Sequence, residues 1–199
     1  MPVSVSNLTQ GPGVLYAGVM GATEPTDATT APATGASGYT DVGGTNDGVQ
    51  LSIKQTYKEL EVDQVVDIPG RRITKREMTL KTNLAEPTLE NLAISLNSAA
   101  SAITTAGTGA NATKSFEPPN EGSATQPIYR PLVFDGFAPG AKTDGTAPAR
   151  RILVRRALST DDVSFAYKKD DQTVFSVTFS AHYVSASIKA FKVIDQVLA

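Results

Sequence analysis

Three carboxylates occur at every second position in the stretch YKELEVDQVVD, residues 57–67: Glu59, Glu61 and Asp63. In an extended strand such residues share one face at a spacing of about 6.6–7 Å, which overlaps the carboxyl separation of inverting glycosidases. Glycosidase carboxylates face each other across a substrate, however, whereas these would stand in parallel on one surface. The chain also has no tryptophan on which a sugar could stack. The pattern favours a solvated strand face over a glycosidase site.

The single histidine, His182, adds little support for catalysis. It lies among hydroxyl residues in a predicted strand, and the sequence has no Gly-x-Ser-x-Gly nucleophile elbow. One histidine without any cysteine does not supply the ligands of a transition-metal site, and no Walker-type phosphate loop occurs. We therefore predict that the protein is not an enzyme, that it has no catalytic, metal or cofactor-binding residues, and that it needs no cofactor.

Basic residues form two clusters, but the chain as a whole carries a net charge of −2. Readers of nucleic acids usually combine such clusters with stacking aromatic side chains, and none interleave here. We expect these residues to meet carboxylates within the fold or on a neighbouring copy of the chain. The first cluster consists of Arg71, Arg72, Lys75 and Arg76, and the second of Arg150, Arg151, Arg155 and Arg156.

Length and composition indicate one domain with long loops. The 199 residues contain 40% hydrophobic side chains, no run long enough to span a bilayer, and no basic segment followed by an apolar one at the start. Two segments rich in Gly, Ala, Thr and Pro, at about 21–48 and 106–126, lack any periodicity. We predict that both are long flexible loops.

Period-two alternation predicts a long β-hairpin at about 49–84. Apolar residues are odd-numbered from Val49 to Tyr57 but even-numbered at Leu60, so the strand needs a bulge near Lys58 or passes between two environments. The sequence around Pro69 reads as the turn. The hairpin is longer than a single sandwich domain requires.

The remaining pattern predicts one helix and several more strands. Residues 86–97 place Leu89, Leu92 and Leu96 on one side of an amphipathic helix. Strands are predicted at about 128–137, 151–158 and 173–185, the last in a hairpin with 163–167. The predicted fold is mainly β, an antiparallel sandwich or barrel with one flanking α-helix.

Several of these segments resemble the major tail tube protein of long-tailed bacteriophages. The resemblance extends over about residues 18–196 and is strongest at the strand-to-helix junction LAEPTLENLAISL. The chain departs from the family in a long insertion at 99–126. The other similar segments are GVQLSIKQTYKELEVDQ, RRITKREMTLKTNLAEPTLENLAISLN, RRILVRRAL, VFSVTFSAHY and FKVIDQ.

The resemblance implies a structural protein of the virion tail, assembled in the host cytoplasm. Six copies would close into a ring, with the long hairpins joined in a shared inner barrel, and stacked rings would form the tube that conducts the genome into the host. Implied partners are other copies of the chain, a tape-measure protein in the lumen, tail initiator and terminator proteins, and double-stranded DNA in passage, with no membrane. The alternative is a β-sandwich binding module, such as a virion decoration or glycan-binding domain.

The resemblance also suggests roles for two groups of residues. The acidic row Glu59, Glu61 and Asp63 would either line the bore, where it would repel passing DNA, or meet the basic hairpin tip of the next ring. The residues expected to make inter-subunit basic contacts are Arg71, Arg72, Lys75 and Arg76.

Overall fold

The computed structural model describes residues 4–64, 66–118 and 126–197. The chain is mainly β, with 42% of residues in strands and 9% in helices, as predicted. The strands, in chain order, are β1 Val14–Gly18, β2 Tyr39–Asp41, β3 Thr45–Leu60, β4 Gly70–Leu84, β5 Ile103–Ala106, β6 Thr113–Phe116, β7 Arg130–Phe137, β8 Ala149–Ser159, β9 Phe175–Ala181 and β10 Phe191–Asp195.

Eight strands form one antiparallel sheet in the order β2-β1-β7-β8-β9-β4-β3, with β10 paired to β8. Strand β8 is shared: its first half pairs with β7 and β10, and its last residues pair with β9. Among the described strands the sheet is open, because β2 and β3 end it, and the arrangement is consistent with a sandwich. Strands β5 and β6 form a separate two-stranded sheet.

The core lies mainly on one face of the large sheet. Strand β9 places Phe175, Val177 and Phe179 inward, as its alternation predicts, and all three are buried. They pack with Leu80 and Leu84 of β4. A smaller cluster of Tyr39, Val133 and Leu153 lies apart from this core.

The helix is shorter than predicted. Helix α1 spans Leu89–Ser95, because Thr88 in extended conformation caps it: its hydroxyl accepts a hydrogen bond from the backbone N–H of Asn91 at 3.2 Å. The buried Asn91 side chain donates to the carbonyls of Val42 and Glu86, each at 2.8 Å, and so fixes the helix against the chain that enters β3. No described helix is long and apolar enough to cross a bilayer.

The prediction of structureless chain at 21–48 and 106–126 is wrong for part of both segments. The first contains β2, where Tyr39 is buried, and the start of β3; the second contains β6. Arg151 and Arg155, described below, bind the first segment. The composition of the segment does not reveal these contacts. Residues 119–125 lie outside the described residues, and the flexibility of both segments stays a prediction.

The predicted C-terminal strands are confirmed as β7, β8 and β9, but the hairpin partner at 163–167 is wrong. That segment has no strand structure, and Thr160 donates from its backbone N–H to the carbonyl of Thr178 at 2.9 Å before the chain leaves the sheet. Phe165 instead packs edge-on against Phe175, with ring centroids 5.0 Å apart. The apolar residues of 163–167 thus reflect the packing of Val163 and Phe165 against the core rather than a strand.

Candidate functional site

The long hairpin projects from the body of the protein. Only residues 79–84 of β4 pair with β9. Among the described strands, residues 70–78 therefore have β3 as their single neighbour, and β3 is an edge of the sheet along its whole length. Ile53, Tyr57 and Ile73 in the outer half are 45–50% exposed. The outer half therefore has open hydrogen-bonding edges and solvent on both faces.

One face of the hairpin, which we call the apolar face, continues the core outward. Paired residues of antiparallel strands lie on the same face, and Leu51 pairs with the buried Leu80. Further out the same face has few charges until its end. It comprises Leu51, Ile53, Gln55, Tyr57 and Glu59 of β3, opposite Leu80, Met78, Arg76, Ile73 and Arg71 of β4.

A bulge keeps the apolar face continuous. Thr56 pairs with Lys75 and Tyr57 pairs with Ile73, so Thr74 is an extra residue on β4. Its hydroxyl donates to the carbonyl of Thr56 at 3.2 Å. A bulge near Lys58 on β3 was one of the two possibilities, but the bulge lies on β4 instead. It places the Ile73 side chain on the apolar face.

Because β3 is regular from Val49 to Leu60, Leu60 points to the face opposite Tyr57 and is 46% exposed. The phase change in the sequence is thus a real change of environment along β3. This was the second of the two possibilities that the sequence left open.

The other face, the polar face, carries hydroxyl and basic side chains. It extends across β3, β4 and β9, because the outward residues of β9 pair with those of β4. Its members on the hairpin are Gln50, Ser52, Lys54, Thr56 and Lys58, opposite Lys81, Thr79, Glu77, Lys75 and Arg72, and on β9 they are Ser176, Thr178 and Ser180.

The acidic row is only partly on a strand. Glu59 lies on the apolar face, and its carboxylate accepts from Arg71 at 2.7 Å across the hairpin, with both side chains well exposed. Strand β3 ends at Leu60, so Glu61 follows it and Asp63 lies in the turn. The three carboxylates therefore do not share one strand face, and pairing with Arg71 relieves repulsion at Glu59.

The structure divides the first basic cluster between the two faces. Arg71 and Arg76 lie on the apolar face, whereas Arg72 and Lys75 lie on the polar face. Lys75 binds Glu77 at 2.6 Å, and this hydrogen bond lowers the pKa of Glu77. Inter-subunit contacts of these four residues stay a prediction.

In the second basic cluster, on β8, Arg150, Arg151 and Arg155 pair with carboxylates within the fold, which is one of the two expected arrangements. Arg151 is 1% exposed and forms a bidentate pair with Asp135 at 2.6 Å for both bonds. Its remaining nitrogen donates to the carbonyls of Asp27 and Thr30, at 2.8 and 2.7 Å. Arg151 thus fixes the 21–48 segment to the sheet.

Two neighbouring arginines of β8 are paired near the surface. Arg155 forms a bidentate pair with Glu24 at 2.6 and 2.8 Å, and that hydrogen bonding lowers the pKa of Glu24. Arg150 pairs with Asp195 of β10 at 2.6 and 2.7 Å. Sequence reasoning missed these partners, because the carboxylates come from segments that are distant in the sequence.

His182 takes part in an aromatic contact rather than a triad. Its ring lies edge-on to Tyr129, with centroids 5.2 Å apart, and the guanidinium of Arg156 lies 3.9 Å from the Tyr129 ring centroid on that ring's face. Across the described ranges no cluster of three His, Cys, Asp or Glu side chains could hold a metal ion. The projecting hairpin is therefore the feature that most needs a functional explanation.

Comparison with known proteins supplies a family. No curated protein matches the sequence. A family profile described as phage tail tube protein matches residues 5–198, almost the whole chain. The described residues form an open antiparallel sheet with one α-helix and a projecting hairpin, and the chain belongs to the phage tail tube protein family, whose members are structural components of the virion tail.

Proposed function

We propose that this protein forms hexameric rings that stack into the tail tube, and that the tube conducts the genome into the host during ejection. The observation that supports this most directly is the hairpin: its outer half has two open edges and exposes apolar side chains in a chain of the tail tube family. Such an edge is a liability in a monomer and is useful only when another strand completes it.

Edge pairing between copies explains how a ring can close. The open edge of β3 in one copy would pair with the open outer half of β4 in the next, and the two strands run in opposite directions. This contact joins two different surfaces, so copies add head to tail and form a ring if the rotation closes. The joined hairpins make a shared barrel without edges.

The two faces of the hairpin suggest its orientation in that barrel. The apolar face is continuous with the core, so it would lie against the bodies of the ring, and the polar face would line the bore. Glu59 lies on the apolar face with Tyr57 and Ile73. Of the two sites considered for the acidic row, this favours a contact between subunits or rings, with Glu61 and Asp63 at the tip.

Charge reversal at Glu61 tests that choice. If the acidic tip contacts a neighbouring ring, Glu61→Lys should prevent polymerisation of the tube. If the row instead lines the bore, tails carrying Glu61→Lys should assemble and release DNA more slowly, because the wall would attract phosphates.

The partners that follow from this function are other copies of the chain, a tape-measure protein that occupies the lumen during assembly, tail initiator and terminator proteins, and double-stranded DNA in passage. Of the basic residues expected at contacts between copies, Arg71, Arg72, Lys75 and Arg76, the first and last lie on the apolar face and would contribute to those contacts. Arg72 and Lys75 lie on the face that would line the bore. The 21–48 segment would become fully ordered only when rings stack. Single copies would therefore not polymerise until an initiator complex is present.

Electron microscopy of the purified protein tests the proposal. We expect long hollow filaments at high concentration, with sixfold symmetry in end views and a wall that contains a continuous inner β-barrel. A chain that stays monomeric at every concentration, even when offered the tail initiator complex as a seed, would contradict the proposal.

A further inference from the structure

The outer part of the polar face is strongly basic although the whole chain is slightly acidic. On the hairpin this face carries four cations in its outer part, Lys54, Lys58, Arg72 and Lys75, and Lys81 beside β9, against one carboxylate, Glu77. Two further carboxylates lie near its inner end and are already engaged: Asp161 accepts from the Thr178 hydroxyl, and Asp47 accepts from the Asn83 side chain. The excess positive charge in the outer part of the polar face therefore lies at Lys54, Lys58, Arg72 and Lys75.

Two of these cations lie directly opposite each other. Lys58 of β3 pairs with Arg72 of β4, both side chains are exposed, and neither forms an ion pair within the described ranges. Like charges in directly opposed positions destabilise a strand pair. Elsewhere on this face Glu77 relieves the repulsion, since it binds Lys75 and is the cross-strand partner of Lys54. An external anion would relieve it at Lys58 and Arg72.

The residues around these cations indicate which anion fits. Ser52, Thr56 and Thr79 supply hydroxyl groups, and the face has no apolar anchor until Leu60 at its outer end. Protein partners are usually held by buried aromatic or aliphatic anchors, and single strands by aromatic stacking platforms. Flexible lysines with hydroxyl groups instead suit the phosphates of a duplex, which they neutralise without reading sequence.

We infer that the polar face of the hairpin binds the phosphate backbone of duplex DNA through salt-dependent contacts that are independent of sequence, centred on Lys58 and Arg72. The inference rests on the proposed function, since it is in the tube that this face would meet DNA. It gives the bore a positive wall, so DNA would slide along exchangeable lysine contacts rather than being repelled.

The test measures binding of a fluorescent mixed-sequence DNA duplex to the full chain by anisotropy, at salt concentrations from about 50 to 200 mM. The variant is Lys58→Gln with Arg72→Gln. The control, Lys168→Gln with Lys169→Gln, removes two charges from an exposed turn away from the hairpin. We expect the slope of log K against log salt to become less negative by about 2 in the variant and to stay unchanged in the control.

Two further readouts separate this inference from trivial effects. Removing the opposed charges should leave the thermal unfolding midpoint equal or higher, whereas a structural role for the pair would lower it. A second duplex of unrelated sequence should bind equally well. Equal loss in variant and control, or no binding by the unmodified chain, would overturn the inference.

Competition identifies the class of occupant. If poly-glutamate of matched charge displaces the duplex more effectively than unlabelled duplex does, the face is built for an acidic protein, and the inference is wrong. Micrographs of the same samples report on tube formation separately. Variant-sensitive DNA binding without filaments would support the basic face while contradicting the proposed tube.

Discussion

At the scale of single residues, burial separates the arginines of β8 that the sequence treats alike. The sequence predicts that Arg150, Arg151 and Arg155 meet carboxylates, and in the fold each does. It does not reveal that Arg151 is almost fully buried and also satisfies two backbone carbonyls. That information is missing because the partners come from the 21–48 segment, whose composition gives no pattern from which its path can be deduced.

Replacing Arg151 with Met should lower the free energy of unfolding by about 3 kcal/mol, because the change leaves a partly buried carboxylate and two carbonyls without their donor. The matched control is the adjacent Arg150→Gln. Its ion pair with Asp195 is more exposed, so its loss should cost less than about 1 kcal/mol. Urea unfolding measures both, and equal effects would contradict the anchoring role of Arg151.

Glu24 should make stability depend on pH. Its pKa is lowered from an ordinary 4.5 by the hydrogen bond from Arg155, so the folded state favours the ionised carboxylate. This contribution is fully present above about pH 4.5 and is lost as pH falls through the folded pKa. Glu24→Gln should therefore be less stable than the unmodified chain near neutral pH, and the difference should shrink in acid. A constant difference across unfolding curves at several pH values would show that Glu24 acts by another route.

At the scale of elements, the sequence predicts the regularly alternating strands but not the bulge or the irregular segments. Period two predicted the hairpin and β9, because both alternate apolar and polar residues; β9 and the inner part of β4 bury their apolar face against the core. The sequence did not reveal that the bulge lies on β4. The extra residue there moves Ile73 to the apolar face and leaves the alternation of β3 unchanged at Tyr57. The predicted strand at 163–167 is wrong because a short run of alternating apolar residues also occurs in irregular chain that packs against a core, as Val163 and Phe165 do here.

Deleting Thr74 should leave the monomer folded, because the flanking pairs Thr56–Lys75 and Tyr57–Ile73 would then follow each other in regular register. We expect the free energy of unfolding to change by less than about 1 kcal/mol. The bulge adds twist to the hairpin, so its loss should change the diameter of the tube or prevent closure. Thr74→Val is the control, because it keeps the bulge and removes only the hydroxyl. Filaments of unchanged diameter after the deletion would rule out this role of the bulge.

At the scale of the whole molecule, the fold class and the likeness to tail tube proteins could be inferred from the sequence, because a long hairpin followed by a capped helix is an arrangement of strong local signals. The alternation also assigned most side chains of the hairpin to the correct face, but not those beyond the bulge on β4 or beyond the end of β3. Their assignment depends on register and on where β3 ends, and these are set by pairing between strands. For that reason the acidic row looked like one surface in the sequence but is divided between strand and turn in the fold.

The exposed apolar side chains of the hairpin should matter for assembly rather than for folding. Tyr57→Ser with Ile73→Ser removes two neighbours that are about half exposed, so the monomer should lose little stability. Filament formation should be abolished, or its critical concentration raised at least tenfold, because the same side chains would be buried between copies. Tyr167→Ser, at an exposed aromatic away from the hairpin, is the control. Sedimentation and micrographs give the readout, and normal filaments from the double variant would contradict this arrangement of the ring.

Because β3 keeps a regular register from Val49 to Leu60, adjacent residues of this strand would be under different selective pressures. In a library that samples every amino acid between Gln50 and Glu59, tolerance should rise and fall with a period of two. Leu51, Ile53 and Tyr57 would reject polar replacements because neighbouring copies cover them, and even positions would reject acidic ones because DNA passes over them. Residues of the same strand would then evolve at two rates, one limited by contacts with neighbouring subunits and the other by the DNA that passes through the tube.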